Sequence, residues 1–307
     1  MRNIIYIINP VSGTKSKDDL RLFIEKKTTE QKISFQIFPS VASGDYSFLH
    51  PIIKEQKITD VVIAGGDGTV SQVLSSLMHC DVNFGIIPCG SGNGLAFAAK
   101  IPKQPDKALN IIFKNKAEAI DGFYVNDPAL SGTGRHFACM LCGFGFDAKV
   151  AHDFVDQTHR GLTTYMRLAL KNFIAMKKHR FRIQLQDTTF ETKAYFISIA
   201  NSNQFGNNFT IAPKASLSDG LLDIVIVTSK NKISFIWQIL KQLAGWNKLQ
   251  AASLIKEKRG LIYFQTDKLN IINLSNAPLH IDGDPAETVT ELKIAVKKKC
   301  FRLLQPA

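Results

Sequence analysis

Apolar positions in the first 120 residues come in short β-branched runs, separated by polar stretches of helical length. Residues 4–8 form one such run, and residues 16–31 read as the helix that follows it. A second strand is expected at 33–38, a helix at 46–57, and at 60–64 a strand that ends in glycines. Residues 70–78 again read as helix, and 84–87 as a strand halted by Pro88. Strands alternating with helices at this spacing predict a parallel sheet with crossover helices. After about residue 122 strand-like runs dominate, at 137–141, 181–185, 194–200, 222–227, 261–265, 269–274 and 292–296. Helical segments around 162–178 and 234–255 interrupt them, so a β-rich second domain is expected. The pattern predicts domains at 1–125 and 126–307, in keeping with roughly 150 residues per domain.

Composition narrows the class. With 45% hydrophobic and 21% charged residues, the chain has the makeup of a folded globular protein and not of a disordered one. No apolar run approaches the roughly 18 residues that span a bilayer. The first ten residues lack the apolar length and small-residue cleavage site of a signal peptide, so a cytoplasmic location is expected. Of five cysteines, Cys139 and Cys142 form a CxxC inside an apolar stretch, which reads as buried, reduced thiols. Seven histidines are scattered without ligand spacing. Lys and Arg exceed Asp and Glu by 38 − 26 = 12, which favours a polyanionic partner: nucleic acid, an anionic membrane or nucleotide phosphates.

Three glycine-bearing turns carry the local chemistry. The run Asp60-Val61-Val62-Ile63-Ala64 leads into Gly65-Gly66-Asp67-Gly68-Thr69 and a helix. Glycines let backbone approach a ligand, and N–H groups at a helix start favour phosphate. Asp67 beside such a site suits a carboxylate that holds Mg²⁺, or else a helix N-cap. A second box, Pro88-Cys89-Gly90-Ser91-Gly92-Asn93-Gly94, also follows a strand, and Asn9-Pro10-Val11-Ser12-Gly13-Thr14-Lys15 closes the first one. In a parallel sheet these turns share one edge. None fits the Walker A or the dinucleotide GxGxxG pattern.

This set of motifs resembles the diacylglycerol kinase catalytic family of lipid kinases, which includes bacterial lipid kinases and sphingosine kinases. Further along, Asn207-Asn208-Phe209-Thr210-Ile211-Ala212-Pro213-Lys214-Ala215, Ser218-Asp219-Gly220-Leu221-Leu222-Asp223 and Ile281-Asp282-Gly283-Asp284-Pro285 resemble the family's second-domain segments and its late DGE motif. The resemblance implies an α/β N-terminal domain with a phosphofructokinase/NAD-kinase-like parallel sheet, then a β-sandwich-like C-terminal domain with helical insertions. It also implies ATP- and Mg²⁺-dependent transfer of the γ-phosphoryl group to a lipid hydroxyl, with ATP in the cleft between the domains.

By motif matching, Gly65, Gly66, Asp67, Gly68, Thr69, Val70 and Ser71 would wrap the phosphates. Asn9, Ser12, Gly13, Lys15, Ser40, Gly90, Ser91, Gly92 and Asn93 would complete the nucleotide site. Asp67 would join the Mg²⁺ network, and Ser216, Asp219 and Leu221 a second-domain metal site, the first and last through backbone carbonyls. Asp284 would be the general base for the lipid hydroxyl, and Asp121 a further acidic residue of the cleft. Two departures stand out. Asp284 replaces the usual Glu, one methylene shorter, and Gly94 follows Asn93 where bacterial relatives carry Asp, as in the sphingosine kinase form.

Residues 160–180 and 232–248 are basic and apolar in helical alternation, so they read either as helices of a membrane interface or as ordinary surface helices. The expected partner is a lipid at the membrane surface, reached by peripheral contact. No nucleic-acid partner is expected, and a homodimer through an exposed sheet edge stays open. Two other readings compete: a kinase of NAD or another small alcohol, because GGDGT-type turns occur there too, and a non-catalytic membrane-surface protein. The GSGN box and the two second-domain segments argue against the first of these. The motifs leave the lipid open between diacylglycerol and a sphingoid-like acceptor.

Overall fold

The computed structural model describes residues 2–12, 17–126, 134–157, 162–204, 210–251, 255 and 260–306, with Lys17, Leu162 and Tyr165 described by backbone alone. Two compact units emerge, Met1–Ile120 with Lys299–Ala307, and Asp121–Lys298. Residues 299–307, which the sequence division carries with the second domain, thus fall in the first unit. The reason is pairing: Arg302 and Leu303 run parallel to Asn83 and Phe84.

In the first unit β1 (Asn3–Ile8) is buried at five of its six positions, the pattern of a parallel strand covered on both faces. It lies between β2 (Ser34–Pro39) and β3 (Asp60–Gly65), and β4 (Asn83–Pro88) follows, all parallel. The connecting helices are α1 (Lys17–Glu30), α2 (Leu49–Glu55), α3 (Asp67–Leu77), α4 (Gly94–Ala98) and α5 (Pro105–Lys114). The starting edge of the sheet is closed by Arg2, which donates to the buried Asp60 carboxylate at 2.9 Å and to the Ile112 and Phe113 carbonyls at 2.8 and 3.3 Å. The strands' C-terminal ends therefore carry the glycine turns. The pattern reading passes over α5, which begins at a proline and buries Ala108, Leu109 and Ile112.

The chain leaves the first unit along β5 (Ala117–Asn126), and from Asp121 onward it belongs to the second. There β5 pairs with β6 (Arg135–Ala138). β7 (Leu141–Gly145), α6 (Phe146–Val155), α7 (Leu162–Ala175), β8 (His179–Gln184), β9 (Thr189–Ala194), β10 (Phe196–Ala200) and β11 (Leu222–Val227) follow. The remaining elements are α8 (Lys232–Leu243), β12 (Leu261–Thr266), β13 (Lys268–Asn273), β14 (Leu279–Ile281), β15 (Asp284–Ala286) and β16 (Glu291–Leu304). β16, β13, β8 and β9 form one antiparallel layer; β12, β11, β10, β7, β14 and β15 form the other. Phe144, Ile197, Ile199, Ile224 and Phe264 from one layer pack with Phe181, Ile183, Ile271 and Leu292 from the other, giving the sandwich core. The architecture is the expected one: a parallel α/β unit and a β-sandwich with helical insertions.

Two strand-like runs each cross a strand boundary. The run at 137–141 breaks because the N–H groups of Cys139, Met140 and Leu141 donate to the Asp282 carboxylate. The run at 194–200 changes layer at Tyr195: β9 pairs with β8, whereas β10 pairs with β7 and β11. The last helical segment stops at Leu243, where Gly245 turns left-handed at φ 69° and donates to the Gln242 carbonyl. Among the described residues no helix is long and apolar enough to cross a membrane.

Candidate functional site

In the first unit the ends of β1, β2, β3 and β4 are stitched together. Asn9 N–H donates to the Ala64 carbonyl at 2.9 Å, Ser40 N–H to Ile8 at 2.9 Å, and Cys89 N–H to Gly65 at 2.9 Å. Asn9 Nδ2 donates to Thr69 Oγ1 at 2.7 Å, Asn9 Oδ1 accepts from Val11 N–H, and Ser12 Oγ donates to the Asn9 carbonyl. The GGDGT turn opens α3 with Gly66 at the N-cap, extended at φ −97°, and no side chain caps the helix. The first amides of a helix have no intrahelical acceptor, so this end presents N–H groups and positive dipole to an anion. A Cβ on Gly90 would lie 2.6 Å from the Gly66 Cα. The two turns thus touch backbone to backbone, and only glycine fits between them.

The residues around these turns divide by role. Gly66, Asp67, Gly68 and Gly92 are half-buried and Ser91 is exposed, so each can reach a ligand. Thr69 is buried and held by Asn9, and Val70 is buried with its N–H bonded to the Gly66 carbonyl, so both support the turn from within. Asn93 is also buried, left-handed at φ 57°, and its amide is closed onto Gly90 in both directions, at 2.9 and 2.8 Å. It shapes the second box. Ser71 is half-buried in the first turns of α3, and Gly13 and Lys15 lie outside the described residues, as do residues 207–209.

The second unit gathers another set. Asp121 is 1% exposed, accepts from Gly220 N–H at 2.7 Å, and donates its own N–H to the Leu217 carbonyl. Gly220 needs its left-handed φ of 75° here, and the Lys298 side chain occupies the space a Cβ would take. Desolvation raises the Asp219 carboxyl pKa; Leu221 N–H opposes this and the Asp121 carboxylate adds to it. Ser216 and Leu221 lie on the same loop as Asp219, before β11.

Asn201 joins Asp121 to the late motif. Its Nδ2 donates to the carbonyls of Asp121 and Cys139, both at 2.9 Å, and its N–H donates to Met140. The same turn donates three N–H groups to Asp282, which is buried and left-handed at φ 49°. Asp282 is therefore the anchor of the hairpin, and Asp284, two residues on, is exposed at the start of β15, opposite Ile281. Motif matching alone found Asp284; the anchoring by Asn201 and Asp282 depends on contacts far apart in sequence.

The structure also reveals a buried pair that the sequence reading missed, Asp147 on α6 and His280 on β14, with Oδ2 and Nε2 3.2 Å apart. Gly143 makes room for it, because a Cβ there would lie 2.6 Å from Asp147 Oδ2. Glycines on both sides of Phe144 in an apolar run were the available signal. Burial pushes the Cys142 thiol up, with the Asp282 and Asp147 carboxylates adding to the effect, so it stays protonated. Among the described residues no cluster of three or more His, Cys, Asp or Glu forms a metal site.

Comparison with known proteins finds a family match on each part of the chain. Residues 3–125 match the diacylglycerol kinase catalytic domain, and residues 141–296 match the YegS C-terminal NAD kinase beta sandwich-like domain. Proteins named "Probable lipid kinase YegS-like" from Yersinia pestis (strain Pestoides F) and Yersinia pseudotuberculosis serotype O:3 (strain YPIII) are 28% identical over 189 residues. That alignment covers 60% of this chain and 62% of each relative. A crystal structure of a diacylglycerol kinase from Bacillus anthracis str. Sterne superposes with a TM-score of 0.71 at 17% identity, covering 99% of this chain and 97% of that one. Yeast NADH kinase, complexed with NADH, shares the fold at a TM-score of 0.55 and 9% identity, over 100% of this chain and 84% of that one. With a catalytic-domain match on the α/β unit and a YegS-type match covering half the chain on the sandwich, the protein belongs to the diacylglycerol kinase-like family of YegS type.

Proposed function

We propose that the protein is a lipid kinase that transfers the γ-phosphoryl group of ATP, with Mg²⁺, to a lipid hydroxyl, either of diacylglycerol or of a sphingoid-like lipid. The observation that carries this reading is the backbone contact of Gly66 with Gly90 beside the uncapped start of α3. Two glycine turns that meet backbone to backbone at a helix N-terminus suit a polyphosphate that must lie against backbone. Family membership and the names of the relatives favour a lipid as acceptor.

In this reading the N–H groups at the start of α3 bind phosphate oxygens, while Asn9 and Thr69 keep the turn in shape. Asp284 accepts the proton of the lipid hydroxyl as its oxygen bonds to the γ-phosphorus. The bond from that phosphorus to the β–γ bridging oxygen breaks, and ADP leaves. Asp67 would join the cation network of the nucleotide, and Asp219 with the Ser216 and Leu221 carbonyls would hold a cation in the second unit. These donors are all oxygen, and the Asp219 carboxylate is desolvated with the Asp121 carboxylate acting on it, so the set fits a hard cation such as Mg²⁺. When bound, Mg²⁺ neutralises charge on the phosphates.

The test is transfer of label from γ-labelled ATP to a panel of lipids in mixed micelles, with NAD as a soluble acceptor beside them. Wild type, Asp67→Asn and Asp284→Asn are run together. Label in one lipid class, reduced about a hundredfold or more in Asp284→Asn, is the expected result. Label in NAD alone would replace the lipid reading with that of an NAD kinase, and absence of ATP binding would overturn both.

A further inference from the structure

Two helices of the second unit carry an apolar face that the unit leaves uncovered. On α7, Met166, Leu170 and Ile174 recur every four residues and are 60%, 65% and 70% exposed. On α8, Ile233, Ile236, Trp237 and Leu240 share one side and are 47–81% exposed, and Trp246, just past the helix, is 68% exposed. The opposite sides are buried, through Leu168 and Asn172 on α7 and Phe235 and Gln242 on α8. The helices are neighbours: the Phe173 and Phe235 rings lie 5.8 Å apart, and Lys232 donates to the Ile174 carbonyl at the end of α7. The two stripes adjoin there. A surface helix ordinarily turns such a stripe inward, and a large exposed one marks an interaction surface.

Charge identifies what the surface meets. Residues 162–178 and 230–250 contain eight Lys and Arg and no Asp or Glu. Some of these are engaged: Lys178 donates to the Thr228 carbonyl, Lys241 sits 5.2 Å over the Trp237 ring, and Lys171 lies near Asp153 of α6. Arg167, Lys177, Lys230 and Lys248 remain exposed around the apolar face. A second copy meeting this face two-fold would set one cationic rim against another. A nucleic acid would match the charge and leave the isoleucines and tryptophans in water. An anionic bilayer matches both, with phosphates for the cations and an acyl boundary for the apolar side chains.

We propose that the joint face of α7 and α8 docks on an anionic lipid bilayer, with Leu170, Ile233 and Trp237 in the acyl boundary and Arg167, Lys230 and Lys248 on headgroup phosphates. This deepens the lipid kinase reading and rests on it for the purpose that docking serves, namely access to a membrane-resident substrate. The observations that carry it need neither ATP nor catalysis.

Trp237 and Trp246 are the chain's two tryptophans, so intrinsic fluorescence reports on this face directly. The protein is mixed with vesicles of phosphatidylcholine alone, or of phosphatidylcholine with phosphatidylglycerol, and then sedimented. The expected result is a blue shift and co-sedimentation with the anionic vesicles, about tenfold or more weaker on the neutral vesicles or in high salt. Leu170→Ser/Ile174→Ser, exposed positions whose folding is checked by circular dichroism, is expected to lose binding by about tenfold or more. Unchanged emission in wild type, or full binding by the double variant, overturns the proposal. So does a vesicle-free dimer that the double variant abolishes, which would assign the face to a second copy. Transfer to a detergent-dispersed lipid separates the two readings: activity without docking removes this proposal alone, and docking without transfer to any lipid removes the kinase reading alone.

Discussion

At Gly90 the distance to a neighbouring backbone decides which residue is allowed. A Cβ there would stand 2.6 Å from the Gly66 Cα and 3.1 Å from Asn93 Oδ1, and backbone cannot swing aside as a side chain can. Gly90→Ala is therefore expected to destabilise the protein by about 1–3 kcal/mol and to weaken ATP binding, measured by thermal denaturation and nucleotide titration. The glycine box itself was legible as a motif. The division of labour within it was not: Asn93 shapes the loop while Ser91 stands exposed, because which amide closes on which carbonyl depends on the folded turn. His179 shows a comparable effect in its titration. Burial, with Lys177 adding, lowers its pKa from the ordinary value, so folding favours the neutral ring. Its contribution to stability is full above the unfolded pKa of about 6.5 and is lost as pH falls through the lower folded value. His179→Phe is expected to flatten the acid limb of the stability curve below the unfolded pKa of about 6.5, as read from urea midpoints.

Among the elements, α8 depends on one side chain. Phe235 is 5% exposed and meets the rings of Phe146, Phe173, Tyr195 and Phe196 at 5.4–6.0 Å, so it joins α6, α7 and the sheet to α8. Phe235→Ala is expected to cost about 3–5 kcal/mol in denaturant unfolding. It should also weaken vesicle docking, although no residue of the exposed face is altered. Helical periodicity placed α7 and α8, yet it could not say which side would stay bare, since a stripe reads the same whether a sheet or a bilayer covers it. Strand limits show the same dependence on distant partners. β6 ends where Asp282, some 140 positions along, takes the backbone N–H groups that a neighbouring strand would have bound. The run at 194–200 takes in β10 but only the last residue of β9, whose mostly polar sequence shows no apolar run and which is a strand because β8 pairs with it.

Across the whole molecule, the chain by itself determined the two-part architecture: buried β-branched runs demand a covered parallel sheet, and short alternating runs demand a sandwich. It likewise determined the family, since the glycine turns and the IDGDP segment are local strings whose chemistry needs no distant partner to be recognised. Only the tertiary structure decided that residues 299–307 complete the first unit, because Arg302 and Leu303 find β4 more than 200 positions back along the chain. It alone decided that Asn201 and Asp282 fasten Asp121 to the late turn, and that Asp147 and His280 share the gap left by Gly143. The physical reason is common to these cases. Periodicity and turn chemistry act over a few residues, whereas hydrogen bonds and close packing join whichever groups the fold brings within about 3 Å, regardless of their separation in the chain.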